Sequence, residues 1–266
     1  MKTIRNLLCF TVMLFFAACS NGSSTRQRTV NADSLIFQSP GLKEYISLFK
    51  NIDLPAQLDT IILYKIDSLD SLKSSFIKTL AAHIFKNPLN EQLPYDLQIF
   101  YTIDSVKTAG KYNQYCDSLN IGMTKNAKMY AVGKTKIDSI TWLLVWGFSS
   151  YSYEACPSTV SFKLYGTLVN KGVIGESFFL AEQTNFSDPP SIAQTLATSI
   201  INKDGSIKVD VTNQIGDLDS LSSEYNHQTQ EFLIKDGLIK STASKIDTMK
   251  ILKPSPLFKD IIEDKK

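Results

Sequence analysis

The sequence predicts an α+β fold dominated by an antiparallel β meander, barrel-like or sandwich-like, with two amphipathic helices at its N-terminal end. Three observations carry this expectation. Apolar residues beyond about residue 95 alternate with polar ones at period two. The connections Asn170-Lys171-Gly172, Lys203-Asp204-Gly205 and Lys235-Asp236-Gly237 each place Gly where a hairpin needs positive φ. Helical periodicity, by contrast, is confined to the segment before residue 94.

Along the chain, a single globular domain is expected over residues 33–266. A mixed segment, 33–94, packs on a β-rich segment, 95–253, and a short tail, 254–266, follows. Ser39-Pro40 supplies an N-cap and a first-turn proline, and Leu42, Tyr45, Ile46 and Phe49 follow at i, i+3, i+4 and i+7 as one helical stripe. The run Thr60-Ile61-Ile62-Leu63-Tyr64-Lys65-Ile66 is β-branched and aromatic, so it predicts a strand. Ser68 then caps a second helix with Leu69, Leu72, Phe76, Leu80 and Ile84 on one side, ending near Asn87 because Pro88 disfavours a helical residue before it. Leu97, Ile99, Tyr101 and Ile103 alternate with Gln98, Phe100 and Thr102, which predicts a strand. Further strands are expected near 127–134, 139–148, 159–169, 173–181, 193–202, 206–212, 228–235 and 238–247. Asp188-Pro189-Pro190 marks a longer loop, and Leu257, Ile261 and Ile262 suggest a last helical turn.

The first nineteen residues read as an export leader. Lys2 and Arg5 give a basic start, and Leu7 to Ala18 is an apolar run of twelve, right for a signal peptide and too short to span a bilayer. The run closes at Phe16-Ala17-Ala18-Cys19, which resembles the lipobox of bacterial lipoproteins, with Phe16 where that family usually has Leu. The resemblance implies a signal peptide over 1–18, lipidation of Cys19 and attachment to the outer membrane of a Gram-negative envelope, and the lack of an acidic cluster after Cys19 leaves the periplasmic face as the expected one. Residues 19–32 then form a lipidated flexible tether, because Ser20 to Ala32 is polar and lacks an apolar period.

Removing residues 1–18 leaves 248 residues, enough for a proper core, and takes Lys2 and Arg5 with it, so 26 basic residues face 26 acidic ones. A neutral chain without a basic stripe argues against nucleic acid as a partner. The expected partners are the membrane, through the lipid, and an unknown protein, small molecule or glycan. Cys116 and Cys156 are the cysteines left in the body, and an oxidising compartment favours their pairing. Such a bridge closes a loop of about 40 residues, worth about 4 kcal/mol on the chain-entropy model.

The succession KTKIDSITWLLVWG, GTLVNKGVIGESFFLAEQ, SIINKDGSIKVD and EFLIKDGLIK is similar to the C-terminal β-rich halves of uncharacterised bacterial lipoproteins, over about Lys134 to Lys240. It implies a fold and no catalytic residue.

Chemistry-bearing residues are sparse. His83 falls on the expected stripe of the second helix and His227 in an expected polar loop, Ser222 to Gln230, with no metal-ligand spacing around either. There is no G-x-S-x-G, no Gly-rich phosphate loop, and in Asn202-Lys203-Asp204-Gly205-Ser206-Ile207 the closing acidic ligand of a calcium loop is missing. No catalytic residue, metal ligand or cofactor is therefore assigned. Trp142, Leu144, Trp146 and Phe148 share one face of a strand whose other face carries Leu143 and Val145, the pattern of a central core strand. Tyr151, Tyr153 and Glu154 follow it and are the candidate ligand-binding residues, since Tyr offers an apolar body with a polar tip. Two function classes stay open: a membrane-anchored, non-catalytic binding or envelope-assembly module, of which an inhibitor or immunity-type partner is one form, and a hydrolase of envelope or glycan substrates. Convergence of two carboxylates in a cleft would point to the second.

Overall fold

The computed structural model describes residues 40–65, 68–110, 126–152 and 158–258. The leader, Cys19, the tether, Cys116, Tyr153, Glu154, Cys156, Ile261 and Ile262 lie outside the described residues. Helix α1, Pro40–Ile46, forms as its stripe predicts: Leu42, Ile46 and Phe49 are buried, and Tyr45 stacks on Phe76 with ring centroids 4.1 Å apart.

Short strands β1, Lys50–Asn51, and β2, Ala56–Leu58, follow. The expected strand over 60–66 is instead a short helix, α2, Ile61–Tyr64. The Asp59 carboxylate accepts the Ile61 N–H at 3.0 Å and starts a turn, and Ile61 and Tyr64 stay exposed, so β-propensity has no ladder to act through. Next come β3, Asp70–Ser71, and α3, Ser74–Leu80, which buries Phe76, Ile77 and Leu80. The second helix thus begins later and ends sooner than Ser68 and Asn87 would set it. Beyond Leu80 the chain is drawn to a sheet edge as β4, His83–Ile84, and the Phe85 N–H donates to Ser177 O at 2.9 Å.

The strand expected at 97–103 is a helix, α4, Gln92–Thr108. Its buried residues, Leu93, Asp96, Leu97, Phe100 and Ile103, recur at spacings of three and four, and Ile99 and Tyr101 flank that stripe half-buried. The alternation was real in sequence, but the helical period decided the packing.

The rest of the chain is the meander: β5, Asn126–Lys136; β6, Thr141–Tyr151; β7, Ser158–Asn170; β8, Val173–Asp188; β9, Ser191–Ile201; β10, Ser206–Asp217; β11, Ser222–Lys235; and β12, Leu238–Ile246. Each pairs antiparallel with the next, all eight strands fall where the alternation puts them, and several run longer. Asp188-Pro189-Pro190 is a tight reversal between β8 and β9 and not a longer loop. A short β13, Lys250–Leu252, pairs with β11, and Pro256–Phe258 forms a 3₁₀ turn.

The strands make one large, mostly antiparallel sheet that is not closed, with β1 beyond β5 at one end and β12 at the other. A barrel-like or sandwich-like closure is what the turns alone suggest. The difference arises at β8, whose first half meets the edge strand β4 and whose second half, from Glu182, meets β9. The hairpin glycines behave as predicted. Gly237 has φ +77°, and a Cβ there would fall 1.9 Å from Asn170 Nδ2, which donates to Asp236 O. The largest fully buried side chains include Trp146, Tyr165, Phe148 and Phe178, on β6, β7 and β8.

Candidate functional site

Strand alternation should give the face of β6 to β11 an apolar row wherever a helix covers it, and α4 covers only part. Beyond that cover, directly opposed residues form a polar row: Ser150 on β6, Ser161 on β7, Thr184 on β8, Thr195 on β9, Asn213 on β10 and Asn226 on β11. Opposed residues share a sheet face, and the first five of these line a cleft of about 640 Å³ whose other wall is the start of α4. Those five strands span four interstrand steps, roughly 19 Å. Hydrogen bonds join the row: Ser161 and Thr184 hydroxyls at 2.8 Å, Thr195 Oγ1 donating to Asn213 Oδ1 at 2.9 Å, and Asn213 Nδ2 to Asn226 Oδ1 at 3.2 Å. Tyr95 on α4 and Phe179 and Phe186 on β8 give the cleft aromatic walls.

One register step deeper lie the charges. Lys163 on β7 is opposite Glu182 on β8. Its ammonium donates to both carboxylate oxygens of Asp96 on α4, at 3.0 and 2.9 Å, and stands 3.8 Å from Glu182 Oε1. The Tyr165 hydroxyl, two residues along β7 on the same face, also donates to Asp96 Oδ2. Asp96, Lys163 and Tyr165 are buried, and the Glu182 side chain keeps 15% of its exposure. Burial holds the Tyr165 phenol well above its ordinary range, reinforced by the Asp96 charge, so Tyr165 stays a donor.

Glu182 is placed differently. Thr184 Oγ1 donates to its Oε1 at 2.5 Å, which spends the Thr184 proton and leaves Ser161 as the donor to Thr184. Burial pushes the Glu182 carboxyl up, against the pull of Lys163 and the Thr184 hydrogen bond, and Asp96 pushes the same way as burial. Among the described residues no donor reaches Glu182 Oε2.

Of the residues singled out in sequence, Tyr151 ends β6, half-buried and opposite Val160 and Asn126. Alternation turns it to the face opposite Ser150, and it is not among the residues lining the cleft. Neither histidine is where its pattern put it. His83 lies on the edge strand β4, exposed, and not on a helix. His227 lies within β11 and not in a loop, with Nε2 3.5 Å from Asp210 Oδ1 and Nδ1 3.4 Å from Asp247 Oδ2, on the sheet face away from the cleft. Asp204 accepts the Ser206 N–H and hydroxyl at 2.9 and 2.7 Å, which is hairpin-turn chemistry. Among the described residues no three His, Cys, Asp or Glu side chains gather to hold a metal.

Sequence reasoning missed Asp96, Lys163, Tyr165 and Glu182. The signal was present for Lys163: in Val160-Ser161-Phe162-Lys163-Leu164-Tyr165 it has the same parity as Tyr165 and Thr167, an inward position where a strand normally carries an apolar residue.

No protein-family model matches the chain, and comparison with curated proteins and with solved structures gave no match. The functional reading therefore rests on the cleft.

Proposed function

We propose that this protein is a lipid-anchored binding lipoprotein of the outer membrane, facing the periplasm, that holds a saccharide chain in the cleft without transforming it. The observation that carries this reading is the row of hydroxyl and carboxamide side chains, Ser150, Ser161, Thr184, Thr195 and Asn213, that lines one wall of the cleft, buried at Ser150 and Ser161 and half-buried at the other three. Bonded to one another, these groups still keep hydroxyl lone pairs and a second Asn213 Nδ2 proton, which match the hydroxyls of a sugar ring, while Tyr95 and Phe186 supply apolar faces for its C–H edges. A volume of about 640 Å³ is within the usual range for ligand sites.

The test uses calorimetric titration of the full-length, detergent-solubilised protein with oligomers of glucose, N-acetylglucosamine and glucosamine. At least one should bind, and Thr195→Val with Asn213→Leu should weaken it tenfold or more, about 1.4 kcal/mol, with an unchanged melting curve. Absence of binding to all three overturns the reading.

Anchorage rests on the leader. Labelling cells with a fatty-acid analogue should mark the wild type and not Cys19→Ser; equal labelling of both sinks the lipoprotein reading.

A second reading, hydrolysis of the same substrates, has one observation in its favour. Asp96 and Glu182 converge on Lys163 in the cleft, and a carboxyl raised by burial suits a general acid. Against it, Asp96 already accepts from Lys163 at both oxygens and from Tyr165, and it is buried, so it is not free to attack or to activate water. Release of shortened oligomers by the wild type, lost in Glu182→Gln, would establish hydrolysis.

A further inference from the structure

The charged groups lining the cleft are three carboxylates, Glu91, Asp96 and Glu182, against one ammonium, Lys163. Lys163 is spent on Asp96: two hydrogen bonds of 2.9 to 3.0 Å tie them, and Tyr165 adds a third donor to that carboxylate. The pair is close to neutral as seen from the cleft. Glu182 is the less compensated group, because Lys163, shared with Asp96, stands 3.8 Å away, within ion-pair range but beyond hydrogen-bond reach, and Thr184 serves only Oε1. Its second oxygen meets no donor among the described residues, at a position that retains access to the cleft. A carboxylate this enclosed gains most from a partner that is both a donor and a cation, since charge-assisted hydrogen bonds are about twice as strong as neutral ones.

We infer that the cleft selects an amine-bearing saccharide, an amino sugar whose nitrogen is free and protonated, with its ammonium on Glu182 Oε2 and its hydroxyls along the row from Ser161 to Asn213. The inference rests on the saccharide reading and adds the group by which the cleft chooses among saccharides. Lys163 does not bar an ammonium there, because two carboxylates, Asp96 and Glu182, face that single ammonium. The raised Glu182 carboxyl points the same way: enclosure disfavours its charge in the empty cleft, and a bound cation would restore it. The Thr184 hydroxyl holds Oε1, which leaves Oε2 as the oxygen with accepting capacity to spare.

Glucosamine and N-acetylglucosamine oligomers of equal length test this, because they share ring hydroxyls and differ in whether the nitrogen is an ammonium or a neutral amide. In wild-type protein the glucosamine oligomer should bind at least tenfold tighter, with an affinity that falls as salt is raised. Glu182→Gln, which keeps size and can still accept from Thr184, should abolish the difference between the two oligomers, together with the salt dependence of glucosamine binding. Equal affinity of both oligomers for the wild type overturns the inference and leaves the saccharide reading standing, and it does so even if the variant fails to fold. A preference that survives in Glu182→Gln also overturns it. Absence of binding to any saccharide overturns both.

Discussion

Replacing Lys163 with methionine will destabilise the protein by about 3–5 kcal/mol, the usual cost of removing one partner of a buried ion pair. The variant keeps an unbranched stem of similar length on β7, so little volume is lost. What it removes is the ammonium that meets both oxygens of Asp96 at 2.9 to 3.0 Å in a place where both side chains are almost wholly buried. Asp96 would be left with Tyr165 as its donor, beside the partly enclosed Glu182. Denaturant unfolding reads the effect as a lowered midpoint at constant slope. The double variant Asp96→Asn with Lys163→Met should recover much of the loss, because it removes the uncompensated charge and keeps a group that can accept from Tyr165. A loss below about 1 kcal/mol in the single variant would mean that the pair is hydrated, contrary to its burial.

This cluster also marks where the sequence stops being legible. The meander was readable because each of its strands repeats a two-residue period and several turns name themselves through Gly172, Gly205 and Gly237, all at positive φ. Period and turn chemistry are local, and the residues supply them without knowing their neighbours. The α4 segment was misread because Leu97, Ile99, Tyr101 and Ile103 satisfy a strand period while Leu93, Leu97, Phe100 and Ile103 satisfy a helical one. Only contact with the sheet decides between them. The 60–66 segment departs from its strand pattern for a related reason: propensity without a partner strand is a weak force beside the Asx turn that Asp59 makes with the Ile61 N–H.

Assembly of the cleft was out of reach for a different reason. Asp96 and Lys163 lie 67 residues apart, and Ser150 and Asn213 are joined only through three intervening strands. Each is an ordinary residue in its own window, and the chemistry exists in the register between strands. Aromatic residues such as Tyr151 stand out in a sequence, whereas the row that lines the cleft consists of Ser, Thr and Asn, which do not.

Where local pattern and burial agree, prediction from sequence is strongest, and Trp146 is that case. Apolar residues on both faces of β6 imply a central strand, and β6 does lie between β5 and β7 with Trp146 fully buried. Trp146→Ala should cost about 3–5 kcal/mol, because the cavity would be lined by residues that cannot all follow. The indole is opposite Tyr165, with ring centroids 4.9 Å apart, so its removal also loosens the side chain that donates to Asp96. Its Nε1 donates to Thr167 Oγ1 at 2.9 Å, Thr167 meets the Ser177 hydroxyl at 2.7 Å, and Ser177 donates to Leu80 O at the end of α3. The indole therefore ties β6 through β7 and β8 to a helix. Trp146→Phe separates the two contributions, since it refills most of the volume and leaves Thr167 without that donor, at about 1–2 kcal/mol. Denaturant midpoints for the two variants should fall in that order. Equal losses would assign the whole effect to the hydrogen bond, and a negligible loss in Trp146→Ala would contradict the burial from which the core was inferred.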